Sequence, residues 1–280
     1  MISRLSVTIV RACLRGGAGG SPTAVLDEVP LSDGERRRVP VLAGTSHAVF
    51  VSVRGSEVSL RFFTAEGELP ACGHGTVAAL AYLADRSGGA EHRGTLRAAG
   101  RSFAGWAVRK GARFRAVFEP GPVELREPTP DECAHVLPPL GITPDAIVQG
   151  ARVASAGRAR LLVPVASRTE LAALAPDFEG LRAACDRFGL LGCYVYSAPE
   201  HSGRLAARMF APSIGVPEDI ANANSTACLA ADLAERGITE IAVDMGDSLG
   251  SPATITASAR PVLRLGGTAE VAVPVRELGL

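Results

Sequence analysis

A thiol and an imidazole lie two residues apart in the segment Cys72-Gly73-His74-Gly75-Thr76. An imidazole titrates near neutrality and can exchange protons with a substrate, and a thiolate can act as a base. We expect His74 to orient a substrate or to serve as an auxiliary acid. Cys72 is either a second proton carrier or a small buried thiol beside it.

The elements around this segment predict how it is held. Residues 58–62 alternate between apolar and polar, which is typical of a half-buried strand, and residues 77–83 are an apolar helical run. A strand, a tight glycine turn and a helix N-terminus direct backbone N–H groups at one point. That arrangement favours binding of an anion.

The same unit occurs a second time in the chain. Arg61-x-Phe63 recurs as Arg208-x-Phe210, 147 residues later, and the helix end at residues 83–86 recurs at residues 233–236. An internal repeat of this size predicts two similar halves. Two helix N-termini would then face each other across the junction, a geometry suited to a small carboxylate held between domains.

The second helix is predicted to begin with polar, largely uncharged residues. These side chains and the free N–H groups can hold a carboxylate, although the same residue types are preferred for helix capping alone. The residues concerned are Asp219, Asn222, Asn224, Ser225 and Thr226.

Composition limits the class of protein. The 280 residues are 47% hydrophobic and carry no net charge, which argues against a general nucleic-acid binder. Six cysteines without a paired framework predict reduced thiols in a cytoplasmic protein. We interpret residues 5–10 as a first strand rather than a signal peptide, and no stretch is apolar enough for a membrane span.

Local patterns predict many short strands and few crossover helices. Ser32 and Glu35 indicate a helix start, with Pro40 keeping that helix short, and Thr129-Pro130 indicates another start. Proline-rich residues 120–130 suggest a domain boundary. The chain is predicted to end with strands near 240–244, 253–258, 262–265 and 269–273.

Motifs along almost the whole chain resemble the PhzF-like (phenazine biosynthesis) proteins. They include RFFT…ELPACGHGTVAALAYL, RLLVPVASRTEL, RMFAPSIGVPED, MGDSLGSPA and LGGTAEVAV. The resemblance implies an α+β fold of the diaminopimelate-epimerase type, in which each of two similar domains is a curled, mostly antiparallel sheet around a central helix. We expect domains 1–122 and 123–280, with the last strand a candidate to pack on the first domain.

Departures from the family pattern bear on the chemistry. Such isomerases usually have Ser-Glu, with Glu as the proton shuttle, where this chain has Ser46-His47. The related proline racemases share the fold and the Cys-Gly-His motif, but they place a second catalytic cysteine at the second helix N-terminus. Here Cys228 lies about one turn inside that helix, which argues against a two-cysteine mechanism. His47 either replaces the carboxylate as acid and base or is a spectator.

These observations predict a cofactor-independent isomerase that shifts a proton and a double bond on a small unsaturated or cyclic amino acid carboxylate. The proposed catalytic residues are His47, His74, Cys72 and Asp219, with no metal. The proposed substrate-binding residues are Ser46, Gly73, Gly75, Thr76, Asn222, Asn224, Ser225 and Thr226. Cys72-x-His74 supplies only two ligands, fewer than a structural zinc site needs.

The family resemblance further implies a homodimer and a role in antibiotic or other secondary-metabolite biosynthesis, with no nucleic-acid or membrane partner. Two alternatives stay open. One is a one-base racemase or epimerase that pairs Cys72 with His47. The other is a non-catalytic small-molecule binding protein on the same fold.

Overall fold

The computed structural model describes residues 4–55, 57–143, 150–272 and 276–279. The strands of the first half are β1 (Arg4–Ala12), β2 (Ser21–Asp27), β3 (His47–Arg54), β4 (Glu57–Phe63), β5 (Glu68–Leu69), β6 (Glu91–Ala98), β7 (Arg101–Lys110) and β8 (Arg113–Phe118). Those that follow are β9 (Glu124–Arg126), β10 (Arg152–Ser155), β11 (Ala159–Val165), β12 (Cys193–Ser197), β13 (Arg204–Ala211), β14 (Val216–Asp219), β15 (Glu240–Met245), β16 (Ala253–Ser258), β17 (Arg264–Val271) and β18 (Arg276–Gly279).

Helices connect these strands or fill the space inside them. They are α1 (Asp33–Ala43), α2 (Gly73–Arg86), α3 (Pro130–Val136), α4 (Arg168–Ala173), α5 (Phe178–Phe188) and α6 (Ala223–Glu235). Short 3₁₀ turns occur at Pro138–Leu140, Pro212–Ile214 and Asp247–Leu249. In the described ranges, no helix combines the length and the apolar character needed to cross a bilayer.

The first sheet closes into a barrel around α2. Its strand order is β1-β2-β3-β4-β6-β7-β8-β17, and β17 pairs back onto β1 through Val10 and Val271. Helix α2 contacts all eight strands. It is buried over most of its surface, and small alanines (Ala78, Ala79, Ala81 and Ala84) let it fit inside the closed sheet.

The second sheet repeats this plan around α6. Strands β10 to β17 follow β1 to β8 in type of pairing: the parallel pairs β2–β3 and β4–β6 correspond to the parallel pairs β11–β12 and β13–β15. Helix α6 packs against β9, β10, β11, β15, β16 and β17. The predicted α+β fold of curled, mostly antiparallel sheets around central helices is therefore confirmed.

The two sheets are joined along β17. This strand pairs with β16 on one side and β8 on the other, and its end reaches β1. Strand β18 also pairs with β1. The C-terminal strands thus complete the first barrel, and they fix the two central helices relative to each other.

Two local predictions differ from the structure. The strands expected near 262–265 and 269–273 are one continuous strand, β17, with residue 273 outside the described range. The pair Gly266-Gly267 lies inside this strand, where close packing requires glycine. A Cβ on Gly267 would lie 2.9 Å from Cys13 Sγ, and one on Gly266 would lie 3.1 Å from the Ala116 carbonyl.

The second difference concerns α1. The capping box of Ser32 and Glu35 forms as predicted, but Pro40 lies inside the helix, which continues to Ala43. Gly44 ends it in the left-handed conformation, with its N–H bonded to the helix. The start predicted at Thr129 is confirmed by a second capping box.

Candidate active site

A cavity of about 150 Å³ lies where the N-termini of α2 and α6 meet. Its walls are formed by the start of β3, the β5–α2 and β14–α6 turns, and the β6–β7 and β10–β11 hairpins, together with Leu191 and Ile214. The sequence-predicted residues that line it are His47, Cys72, Gly73, His74, Asp219, Asn222 and Asn224.

Close contact between the two helices depends on Gly73. A Cβ at this position would lie 2.4 Å from the Cβ of Ala223 and 3.2 Å from the backbone N of Asn224. Only glycine allows the approach. The N-cap residue Cys72 makes no side-chain capping bond, so its thiol is free to face the cavity.

Two imidazoles and a thiol meet at this end of the cavity. The His47 and His74 rings are edge to face with centroids 4.4 Å apart. His74 Nε2 lies 3.5 Å from Cys72 Sγ, and His74 Nδ1 donates a hydrogen bond to the Ala221 carbonyl at 2.7 Å. His47 Nδ1 lies 2.8 Å from Ser46 Oγ. Both histidines are thus oriented through Nδ1, and the Nε2 of His47 has no hydrogen-bond partner among the described residues, whereas the Nε2 of His74 faces Cys72 Sγ.

The surroundings of the two histidines shift their pKa values in opposite directions. Burial lowers the pKa of His47 well below its usual value, and the adjacent His74 lowers it further. Burial also opposes protonation of His74, but Cys72, Asp219 and the Ala221 carbonyl outweigh it and raise the pKa of His74 to about 9. At neutral pH His47 is therefore neutral and His74 protonated. Such a pair separates a base from an acid.

Asp219 ends β14 and is buried beside His74. Its carboxylate accepts hydrogen bonds from the Ala221 N–H at 3.3 Å and from Asn222 Nδ2 at 3.0 Å. Burial raises the pKa of Asp219, while the charge of His74 and these hydrogen bonds act in the other direction. Asn222 in turn caps α6 by accepting from the Ser225 N–H at 2.9 Å. The Asp219 carboxylate lies beside His74 and favours the protonated form of that imidazole.

Some of the sequence-predicted binding residues hold the turns rather than line the cavity. Thr76 Oγ1 donates to the Cys72 carbonyl at 2.8 Å, and Thr226 Oγ1 donates to the Asn222 carbonyl at 3.0 Å. These equivalent bonds brace the first turns of α2 and α6. Gly75 has no room for a side chain, since a Cβ there would lie 2.9 Å from Cys72 Sγ.

Sequence reasoning missed Arg160. This residue of β11 lines the cavity with only 2% of its surface exposed, and it donates to Ser225 Oγ at 3.2 Å. A signal was present, because Arg160 shares a strand face with the core residue Leu162. A charged residue on the buried face of a strand indicates a function or a partner.

The three proton carriers are also the group that could hold a metal ion. Ligand atoms of His47, Cys72 and His74 all lie within 4.8 Å of one another. The sequence showed only the Cys72-x-His74 pair, and the fold adds His47. Three ligands with an open fourth position would suit a catalytic rather than a structural ion. The predicted absence of a metal stays a prediction.

Comparison with known proteins identifies the family. Residues 16–273 match the model of the PhzC–PhzF family, phenazine biosynthesis-like protein. The Salmonella typhimurium protein named "Uncharacterized isomerase YddE" is 29% identical over 259 residues, covering 85% of this chain and 84% of that protein.

Solved structures agree on the fold. A predicted epimerase, PA4716, from Pseudomonas aeruginosa superposes with a TM-score of 0.83 at 24% identity and covers 99% of both chains. A hydroxyproline epimerase from Agrobacterium vitis, with trans-4-hydroxy-L-proline bound, has a TM-score of 0.64 at 10% identity, covering 99% of this chain and 93% of its own. The chain belongs to the phenazine biosynthesis-like PhzC–PhzF family and is a PhzF-like isomerase.

Proposed function

We propose that this protein is a cofactor-independent isomerase that shifts a proton and a double bond on a small unsaturated or cyclic amino acid carboxylate. The observation that carries the proposal is the edge-to-face contact of His47 and His74, with ring centroids 4.4 Å apart in a buried cavity. The surroundings lower the pKa of His47 and raise the pKa of His74. Proton transfer from carbon needs a base that is unprotonated at neutral pH and a positive charge to stabilise the anion that forms.

In the proposed reaction His47 is the proton shuttle. Its free Nε2 removes a proton from the activated carbon, and the electron pair of that C–H bond moves into the conjugated system. His74, as an imidazolium, stabilises the resulting anion through its positive charge. Protonated His47 then lies next to the positive charge of His74, so it is a strong acid and returns the proton at the conjugated position. Substrate and product differ only in the place of one hydrogen and one double bond.

Other groups at the cavity hold the substrate. The N–H groups at the beginnings of α2 and α6 and the side chains of Asn222 and Asn224 surround one end of the cavity, where they favour an anionic group. We propose that Asp219 accepts a hydrogen bond from an amino or ring nitrogen of the substrate. Exclusion of water from the cavity strengthens each of these interactions.

A racemase or epimerase is the second candidate function. Cys72 is a further proton carrier, with Sγ 3.5 Å from His74 Nε2 in the same cavity. If Cys72 and His47 approach one carbon from opposite sides, the reaction inverts that centre. A binding protein without turnover is the third possibility, in which the same groups hold a ligand and move no proton.

One experiment separates these functions. The protein is incubated in D₂O with dihydroanthranilate-like acids, pyrroline carboxylates, proline and hydroxyproline, and the products are followed by proton NMR, mass spectrometry and ultraviolet absorption. Deuterium gained together with a moved double bond supports the isomerase. Deuterium at Cα with inversion supports the racemase. Ligand binding without any exchange contradicts both and supports the binding protein.

The remaining parts of the proposal have their own tests. We propose no metal or organic cofactor, so dialysis against a chelator is expected to leave turnover unchanged. We expect a homodimer, and size-exclusion chromatography with light scattering would measure its molar mass in solution. A cytoplasmic location and a role in secondary-metabolite biosynthesis stay predictions that fractionation and gene disruption would test.

A further inference from the structure

We infer that Arg160 is the residue that binds the substrate's carboxylate, so that this site accepts only ionised carboxylic acids. This inference rests on the proposed function and adds to it a recognition group, Arg160, to which the sequence motifs assigned no role. Its basis is the buried positive charge of Arg160, which has no counter-ion among the described residues. Arg160 is buried, with 2% of its surface exposed, and arginine carries a positive charge on its guanidinium.

The hydrogen bonds of Arg160 leave its charge without a counter-ion. Its Nη1 donates to Ser225 Oγ at 3.2 Å, its Nη2 donates to the Arg158 carbonyl at 2.6 Å, and its Nε has no partner among the described residues. In the same ranges no carboxylate lies within 4.0 Å of it. Burying an unpaired charge costs free energy, so we expect an anion to bind beside Arg160.

Other well-buried arginines in this protein have such a partner. Arg208 forms a two-pronged ion pair with Glu218, and Arg36 pairs with Glu28 and Asp33. Arg160 differs from both in one further respect: it lines the cavity. The missing partner is therefore expected to come from the ligand rather than from the chain.

The surroundings of Arg160 match a carboxylate. It contacts Ser225 in the first turn of α6, a helix of 13 residues whose N-terminus carries partial positive charge. Asn222 caps the Ser225 N–H, which leaves the N–H groups of Ala223 and Asn224 for a ligand. A planar guanidinium and free N–H groups together fit the planar shape of a carboxylate.

The cavity as a whole is positively charged. Arg101 and Arg158 also line it, and no carboxylate ion pair is formed by either within the described residues. Asp219 is the one acidic side chain among the lining residues that the structure describes. A neutral ester, amide or lactone would leave Arg160 unpaired, so the site selects against these compounds.

Binding of two matched probes tests the inference without turnover. Pyrrole-2-carboxylate and neutral pyrrole-2-carboxamide share a planar ring, and isothermal titration calorimetry measures both. We expect the parent protein to prefer the carboxylate by about 10- to 100-fold, the usual value of hydrogen bonds to a charged group. Arg160→Met should abolish this preference, whereas Arg160→Lys should retain part of it.

Thermal unfolding distinguishes recognition from a structural role. If Arg160 serves the ligand, Arg160→Met removes an unpaired buried charge and the unliganded midpoint stays level or rises. A fall in midpoint with the carboxylate preference intact would overturn the inference, as would a parent that binds neither probe or both alike. Arg182→Gln, an exposed arginine on α5, is the control and should change neither quantity.

The same variants keep this inference separate from the proposed function. Carboxylate preference that depends on Arg160, in a protein that exchanges no deuterium, supports the inference and contradicts the isomerase proposal. Unchanged KM for exchange in Arg160→Met contradicts the inference and leaves the isomerase standing.

Discussion

The beginnings of α2 and α6 occupy equivalent places in the two halves but have different chemistry. Helix α2 starts at Cys72, which makes no side-chain cap, and it carries His74 in its first turn. Helix α6 starts at Asn222, which caps the helix through its side chain, and its first turn contains no thiol or imidazole. One helix start thus presents proton carriers, and the other presents N–H groups and amides.

The supporting structure, by contrast, is nearly the same in both halves. Arg61 pairs through two hydrogen bonds with Glu68 on the next strand, and Arg208 pairs in the same way with Glu218. The two halves therefore share the geometry of a strand, a turn and a helix, while the residues at the turn decide the role of each half. A single shuttle needs proton carriers on one side and a holding site on the other.

The largest expected effect is a loss of kcat when the imidazole on α2 is removed. His74→Gln should lower kcat by about 10²- to 10⁴-fold, because it removes the charge that stabilises the anion. Asn224→Ala on the opposite helix should raise KM by about tenfold and leave kcat nearly unchanged. Steady-state kinetics on both variants checks the prediction. Equal losses of kcat would show that the two helices do not divide chemistry from binding.

The equivalent arginine–glutamate pairs of the two halves differ in burial. Side chains of Arg208 and Glu218 are 12% and 8% exposed, against 34% and 40% for Arg61 and Glu68. Arg208→Ala leaves a buried carboxylate unpaired and should lower the free energy of unfolding by about 3–5 kcal/mol. Arg61→Ala should cost about 0–1 kcal/mol. Urea denaturation measures both, and equal costs would contradict the assignment of burial as the cause.

A substitution at the contact between the two helices is expected to have a smaller effect on stability, and a second substitution should partly reverse it. Gly73→Ala should lower the free energy of unfolding by about 1–3 kcal/mol, because its Cβ would meet that of Ala223. Adding Ala223→Gly removes the second Cβ and should restore part of the loss. A double variant no more stable than Gly73→Ala alone would mean that the helices are not held at this contact.

The smallest expected effect is on the pH dependence of kcat/KM. Burial keeps His47 unprotonated well below pH 6.5, so activity should not fall as the pH is lowered to that value. His74 must be protonated, and its raised pKa of about 9 predicts that activity falls about tenfold per pH unit above that value. The alkaline fall should disappear in His74→Gln. A steep loss between pH 7 and 6 would contradict a neutral, buried His47.

Much of the fold followed from local patterns in the sequence. Offsets between Arg61 and Arg208 revealed two similar halves, and capping signals at Ser32 and Thr129 placed helix starts. Closure of the first barrel by β17 could not be predicted this way. It depends on pairing between residues about 260 positions apart, Val10 with Val271, which no local pattern records.

The residues of the candidate site likewise differ in whether the sequence alone could identify them. Cys72 and His74 were visible because they share one turn, and His47 was found through a resemblance to a family motif. Arg160 was not found, because its role depends on which face of β11 is buried and on the absence of a nearby carboxylate. Opposite pKa shifts of His47 and His74 likewise arise from burial and contact, which only the folded chain provides.

Deuterium incorporation by His47 variants tests whether His47 moves the proton. The substrate that exchanges fastest in D₂O is followed by proton NMR with the parent, His47→Gln and His47→Glu. We predict that His47→Gln loses exchange by about 10²- to 10⁴-fold, while His47→Glu, which restores a base of the family's usual type, retains much of it. Parental exchange in His47→Gln would show that another group moves the proton.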